Sequence, residues 1–377
     1  MYELALRYYI IYALLMTGIS IYSIRLFYTR NYLVNNSTTP RIVLFIVLLL
    51  LIVFNASGDY WTYRMWYDSG TEIVHFEPIW ETIRSIIPWG FDIFKLVLWG
   101  GCLILFTIMC KWHKSDLLIA FSLFALFYMG NYSYARATIA YMLILFAYYL
   151  IVRAKESHYR HWPLLLLIVI LCVSIGTQMH RSMLILLAIA IFSFFLKPRK
   201  NSVILLLLFF PVISIVFNTI FFPYINSFIS NDVDTARLME NYLKDTRGIA
   251  AFFGQLLNHL PILILFFISI FNILKKDCLS LTVKRIAFCA FNIVYFSFLF
   301  YTIKAGNGLA LFYRTLNMAY PFMIMTIAYN LKHINNMYIL TLILVVYKVL
   351  MTFLVMYQVL INPDYLYNQV YQRYILQ

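Results

Sequence analysis

Six charged or titratable residues stand where an apolar chain has most reason to avoid them. Arg136 lies just inside an apolar stretch, in Tyr134-Ala135-Arg136-Ala137-Thr138. His180 and Arg181 occupy a polar break, Gly176-Thr177-Gln178-Met179-His180-Arg181-Ser182, between two apolar runs. Tyr313-Arg314 opens another run after Lys304-Ala305-Gly306-Asn307-Gly308. Asp59 and Glu77 bracket a segment dense in aromatic residues, including Tyr60, Trp61, Tyr63, Trp66 and Tyr67. An ionised side chain beside hydrocarbon costs free energy and needs a compensating role. Arg offers a planar fork that binds phosphate oxygens in pairs and keeps its charge. Imidazole accepts a proton near neutral pH. Carboxylates accept hydrogen bonds from sugar hydroxyls, and aromatic rings stack on pyranose faces. Each residue also has a plainer reading. An interfacial Arg snorkels to water, a lone His fills a structural place, and loop acids such as Asp68, Glu72 and Glu81 are solvated.

The elements that must position these residues follow from composition. A hydrophobic fraction of 63%, with only 12% charged residues and a mean hydropathy of +0.82, excludes an ordinary soluble domain. A helix of about 20 apolar residues crosses a hydrocarbon core. Apolar stretches of about that scale lie near 5–27, 41–57, 92–110, 117–130, 134–152, 163–176, 183–196, 203–222, 250–273, 286–303, 315–331 and 337–359. The pattern predicts an all-α polytopic membrane protein of about twelve transmembrane helices. The range is ten to twelve, because 117–130 and 183–196 are short for full spans. No repeat or linker divides the chain, so residues 1–377 are expected to form a single multi-spanning domain. Two longer loops, 58–91 and 223–249, are expected to carry short interfacial helices and contribute to the site. In the first, Pro78 opens a helix that would place Trp80, Ile83, Ile86 and Ile87 on one face. In the second, Asp232 and Asp234 precede Thr235–Glu240 as a capped surface helix.

Charge gives this arrangement a direction. Loops at 25–41, 111–116, 153–162, 197–201, 275–285 and 332–336 hold 16 Lys/Arg against only Asp116, Glu156 and Asp277. The alternate loops, span edges and termini hold 12 basic and 12 acidic residues, and Lys348 lies alone inside the last span. Basic residues resist translocation far more than acids do, so the first set is cytoplasmic. The net charge of +14 thus orients the chain and meets anionic lipid, and does not imply nucleic acid. All six chemistry-bearing residues fall on the other, extracytoplasmic face. Clustered cations there repel one another unless they share an anion. The five cysteines include no C-x-x-C pair and suggest neither a disulfide framework nor a metal cluster. H-E-x-x-H, P-loop, G-x-G-x-x-G and G-x-S-x-G motifs are absent in usable contexts. An enzyme on that face works without ATP or sugar nucleotides.

At these residues the sequence resembles the EpsG/Wzy type of polysaccharide repeat-unit polymerases. The resemblance runs through Asp59-Tyr60 with Tyr63 and Tyr67, then Glu77-Pro78, Arg136 with Ile139-Ala140, His180 with Ser182, and Tyr313-Arg314. The chain departs from the family pattern at Ile79-Trp80 and Ala137. The resemblance implies a bacterial inner-membrane glycosyltransferase with a fold like the GT-C group and a site facing the periplasm or cell exterior. Its donor and acceptor would be undecaprenyl-diphosphate-linked oligosaccharides, with no cofactor and no metal. A chain-length regulator protein is a further partner that such an enzyme accommodates. In this reading Arg136 and Arg314 hold the diphosphate and His180 activates the acceptor. Arg181 assists, Asp59 and Glu77 orient sugar or support the arginines, and Tyr63 and Tyr313 bind substrate. Two alternatives share parts of this pattern. One is a ligase transferring finished glycan from the same donor. The other is a flippase or transporter of the lipid-linked unit, which predicts a polar midplane path and paired half-repeats.

Overall fold

A computed structural model describes residues 2–30, 38–55, 60–69, 77–129, 135–157, 162–180, 183–221, 223, 248–303, 309–334 and 337–361. Every regular element among them is helical. In chain order these are α1 Tyr2–Thr29, α2 Thr38–Phe54, α3 Tyr60–Ser69, α4 Pro78–Ile86 and α5 Phe91–His113. Then come α6 Leu117–Leu123, α7 Ala135–Ser157, α8 Trp162–Met179, α9 Met183–Phe195 and α10 Lys200–Leu208. The last are α11 Phe210–Val216, α12 Gly248–Lys275, α13 Leu281–Tyr301, α14 Leu309–His333 and α15 Tyr338–Ile361. Single π-helical segments, Phe124–Tyr128 and Phe217–Phe221, extend α6 and α11.

Each apolar stretch named from the sequence is occupied by helix. Among the described residues, seven helices are by themselves long and apolar enough to cross a membrane. The α10–α11 pair, bent by 61° at Phe209, raises that to eight if it counts as one span. The apolar helices at Thr38–Phe54, Leu117–Tyr128 and Met183–Phe195 are shorter. The chain is therefore an all-helical, multi-pass membrane protein.

The helices gather into two compact units, residues 1–185 with 327–377, and residues 186–326. In the first, α1 packs on α2 and α15, α2 on α5 and α6, α5 on α7, and α7 on α8. Lipid is as apolar as Leu, so burial alone does not drive such pairing; close backbone approach and buried hydrogen bonds do. The α7–α8 hairpin uses the first device. Its core holds Ala147, Ala154, Leu165 and Val169, and a Cβ added at Gly176 would lie 2.9 Å from the Ala140 carbonyl oxygen. Local caps fix the helix ends. Asp116 accepts from the backbone N–H groups of Leu118 and Ile119, at 2.9 and 3.1 Å, and so starts α6, which is buried from Leu118 onward. In the second unit α12 packs on α13 and α10 on α12. Ser280 caps α13 through the Val283 N–H at 3.3 Å.

Candidate active site

Arg136 lies in the first turn of α7. A cation there opposes the helix dipole, at a cost of about 0.3–1 kcal/mol. Two partners offset it. The Arg136 Nη1 donates to Glu77 Oε2 at 2.5 Å, and Nε donates to the Tyr63 hydroxyl at 3.1 Å. The Arg136 and Glu77 side chains are each 24% exposed, so the pair is largely desolvated yet reachable. Sequence reasoning named all three residues, and the fold brings them into direct contact. Glu77 meets the guanidinium itself, in keeping with a role in supporting the arginine.

Glu77 is held in place by the helix it precedes. Its backbone is extended, with φ −60° and ψ 143°, and Pro78 then opens α4. Trp80 is fully buried and its indole N–H donates to the Met179 carbonyl at 3.1 Å. The indole of Trp66, also fully buried, donates to Glu81 at 2.8 Å, and Arg84 pairs with that carboxylate at 3.4 Å. Glu81 is thus a structural acceptor rather than a merely solvated acid. Trp66 and Trp80 meet edge to face at 6.2 Å, and both contact Phe94. These two rings pack against protein and have no face left for a sugar. Ile86, expected on the inward stripe of α4, is 66% exposed, whereas Ile87 is buried just after the helix ends.

The other end of α3 is tied down too. The Tyr67 hydroxyl donates to the Ile87 carbonyl at 2.7 Å and accepts from the Gly90 N–H at 3.1 Å. Gly90 has φ +99°, a conformation that favours glycine and turns the chain into α5. Tyr60 donates to Asp92 at 3.0 Å and accepts from Arg64 at 2.9 Å. Burial, reinforced by the Asp92 charge, raises the Tyr60 hydroxyl pKa well above its usual value, so the group stays a donor.

His180 follows α8 directly and is half-buried. Its backbone N–H donates to Gly176 at 3.2 Å, and its carbonyl accepts from Met183 at 3.0 Å. The register of α7 and α8 sets its height. Gly176 and Ala140 are in contact, Arg136 lies one turn before Ala140, and His180 lies one turn after Gly176. In an antiparallel pair those two turns run toward the same end. Trp80 binds that end of α8, at the residue before His180. One end of the hairpin therefore carries Arg136, Glu77, Tyr63 and His180.

Tyr313 and Arg314 lie in the first turns of α14, in the second unit, and both side chains are partly buried. There the Tyr313 ring stands 5.6 Å from the ring of His259, which is itself hydrogen-bonded to the Tyr320 hydroxyl. Asp59, Arg181 and residues 224–247 of the second long loop lie outside the described residues. Sequence reasoning missed Asp92, Lys95 and His259. Asp92 and Lys95, at the start of an apolar run, read in the sequence as ordinary flanking charges. Among the described residues, no group of three or more His, Cys, Asp or Glu is placed to hold a metal ion. Arg136, Glu77 and His180 put a cation, a carboxylate and an imidazole at one end of the α7–α8 hairpin.

Helices and site together define a multi-pass, all-α membrane protein with a largely desolvated Arg–Glu pair at the hairpin end that also carries His180. The chain matches the EpsG family over residues 38–374 and belongs to that family, which is of Wzy-type polymerase-like proteins. No curated protein and no solved structure matched the chain.

Proposed function

We propose that this protein polymerises undecaprenyl-diphosphate-linked oligosaccharide repeat units on the extracytoplasmic face of the bacterial inner membrane. Membership of the EpsG family points to a membrane polysaccharide polymerase. The observation that carries the finer reading is the Arg136–Glu77–Tyr63 contact at the hairpin end that also bears His180. The lack of basic excess in the loops on that side supports the orientation.

The chemistry is a glycosyl transfer. The bond between the anomeric carbon of the growing chain and its diphosphate oxygen breaks. A bond forms from that carbon to a hydroxyl oxygen at the non-reducing end of the incoming unit. The hydroxyl proton passes to His180, and the electron pair of the broken bond leaves with the diphosphate. Arg136, preoriented by Glu77 and Tyr63, stabilises the charge that develops on the leaving group, a metal-independent use of a fixed cation. For Arg314 and Tyr313, in the second unit, the substrate-binding roles rest on the resemblance alone. Asp59 and Arg181 keep the supporting roles that the resemblance implies. The diphosphate already activates the donor, so no nucleotide is consumed.

The test is the polymer ladder of a strain lacking this gene, complemented with variants at matched protein level. Arg136→Ala and His180→Ala should each leave glycan of a single repeat unit. Full-length polymer from both variants would contradict the assignment.

A further inference from the structure

Outside the site, a buried polar cluster in the first unit surrounds Lys95. This lysine lies one turn into α5, a helix otherwise apolar enough to span, and is only 8% exposed. Its Nζ donates to the backbone carbonyl of Asn55 and stands 4.6 Å from the centre of the Tyr60 ring. Asn55 is the first residue after α2, so Lys95 places its charge at the negative end of that helix. The Asn55 side chain donates to the Met129 carbonyl at 3.1 Å, tying in the end of the π-helical turn after α6. Three residues before Lys95, Asp92 accepts from Tyr8 of α1 at 2.6 Å and from Tyr60 of α3 at 3.0 Å.

These bonds converge on the two sides of one short gap. Asn55 directly follows α2 and Tyr60 begins α3, and α3 is the helix that carries Tyr63 to Arg136. Lys95 touches both sides at once, and Asp92 holds Tyr60 by its hydroxyl. A lysine in an apolar helix is costly, and the neighbours this one serves are the root of α3 and the end of α2.

We propose that Asp92 and Lys95 are positioning residues for the Arg136 centre, forming with Asn55 a buried anchor that sets where α3 presents Tyr63. This rests on the polymerase reading above. Neither residue contacts reacting atoms; each acts through Tyr60 and α3.

The test compares Asp92→Asn, Lys95→Met, the double variant and Tyr60→Phe with Arg136→Ala, as full-length proteins in the complemented strain. Polymer length and amount are read at matched protein level, together with hydrogen exchange of residues 60–69 in the detergent-solubilised proteins. Asp92 and Lys95 both act on Tyr60, so each single variant should cut polymer at least about tenfold, and the double variant should lose less than the product of the two single losses. Tyr60→Phe, a milder change, should shorten the polymer while leaving the protein level unchanged. Exchange should rise about tenfold in 60–69 and stay unchanged in α7 and α8. A double variant whose loss is the product of the two single losses, or unchanged exchange in 60–69, would overturn the anchor. Wild-type polymer from the Asp92 and Lys95 variants alongside a dead Arg136→Ala would overturn the anchor alone. Wild-type polymer from Arg136→Ala would instead overturn the polymerase site.

Discussion

Arg136 shows how a residue's cost reveals its role. A guanidinium at the positive end of a helix, mostly removed from water, is stable only with an acceptor in place. Glu77 supplies the opposite charge and Tyr63 a second acceptor. Removing the carboxylate should therefore harm more than a surface pair would. We expect Glu77→Ala to destabilise the protein by about 3 kcal/mol, since it leaves a desolvated charge unpaired. Glu77→Gln keeps an acceptor oxygen but gives up the charge, and should retain more stability. Its polymer yield should fall by about tenfold, the scale of a hydrogen bond to a charged group. Thermal unfolding in detergent and polymer yield check the two halves separately. Arg136→Lys should behave like Arg136→Ala in yield, because an ammonium cannot bond Glu77, Tyr63 and a phosphate with one planar fork. Arg136 was legible as a charge at a span edge, and Glu77 and Tyr63 as an acid and a hydroxyl in the aromatic-rich loop 58–91. Asp92 and Lys95 were not. At a helix start they look like ordinary flanking charges, and only the fold shows that they point inward to Tyr8, Tyr60 and Asn55.

Among the elements, the α7–α8 hairpin sets the height of His180 relative to Arg136, and Gly176 sets the hairpin. A methyl group at Gly176 would meet the Ala140 backbone oxygen at 2.9 Å, so the helices must separate. Gly176→Ala should cost about 1–3 kcal/mol, typical of overpacking a close contact, and reduce polymer yield with it. Gly101→Ala in α5 is the control: nothing lies within 4 Å of its added Cβ, and it should leave both readouts unchanged. Equal effects of the two changes would sink the spacer role of Gly176. The short helices teach a related lesson. Pro78 announced α4, and the aromatic density of 58–91 announced an ordered loop. An aromatic residue, however, suits a buried core as well as a sugar face. Trp66 and Trp80 proved to be core, bonded to Glu81 and the Met179 carbonyl. Nothing in the local sequence distinguishes the two uses, because the difference lies in partners far along the chain.

For the whole molecule, hydropathy revealed the class, and alternating charge predicts its direction. Span number was less legible, because an apolar run does not state whether it faces lipid or protein. Residues 117–128 show why: they form a short helix whose described side chains are almost all buried, so its apolarity serves packing. The orientation makes its own prediction. Single cysteines introduced at Ser69 and Ser85 should react with a membrane-impermeant maleimide in whole cells, whereas one at Lys200 should react only after permeabilisation. The account's central claim is polymerisation itself. The most direct test incubates purified full-length protein in liposomes with the lipid-linked repeat unit extracted from a strain lacking this gene, without nucleotides. The account predicts a ladder of products on the lipid carrier spaced by one repeat unit, and no ladder from Arg136→Ala. Unchanged single units with wild-type protein, or a ladder equally strong with the variant, would contradict it.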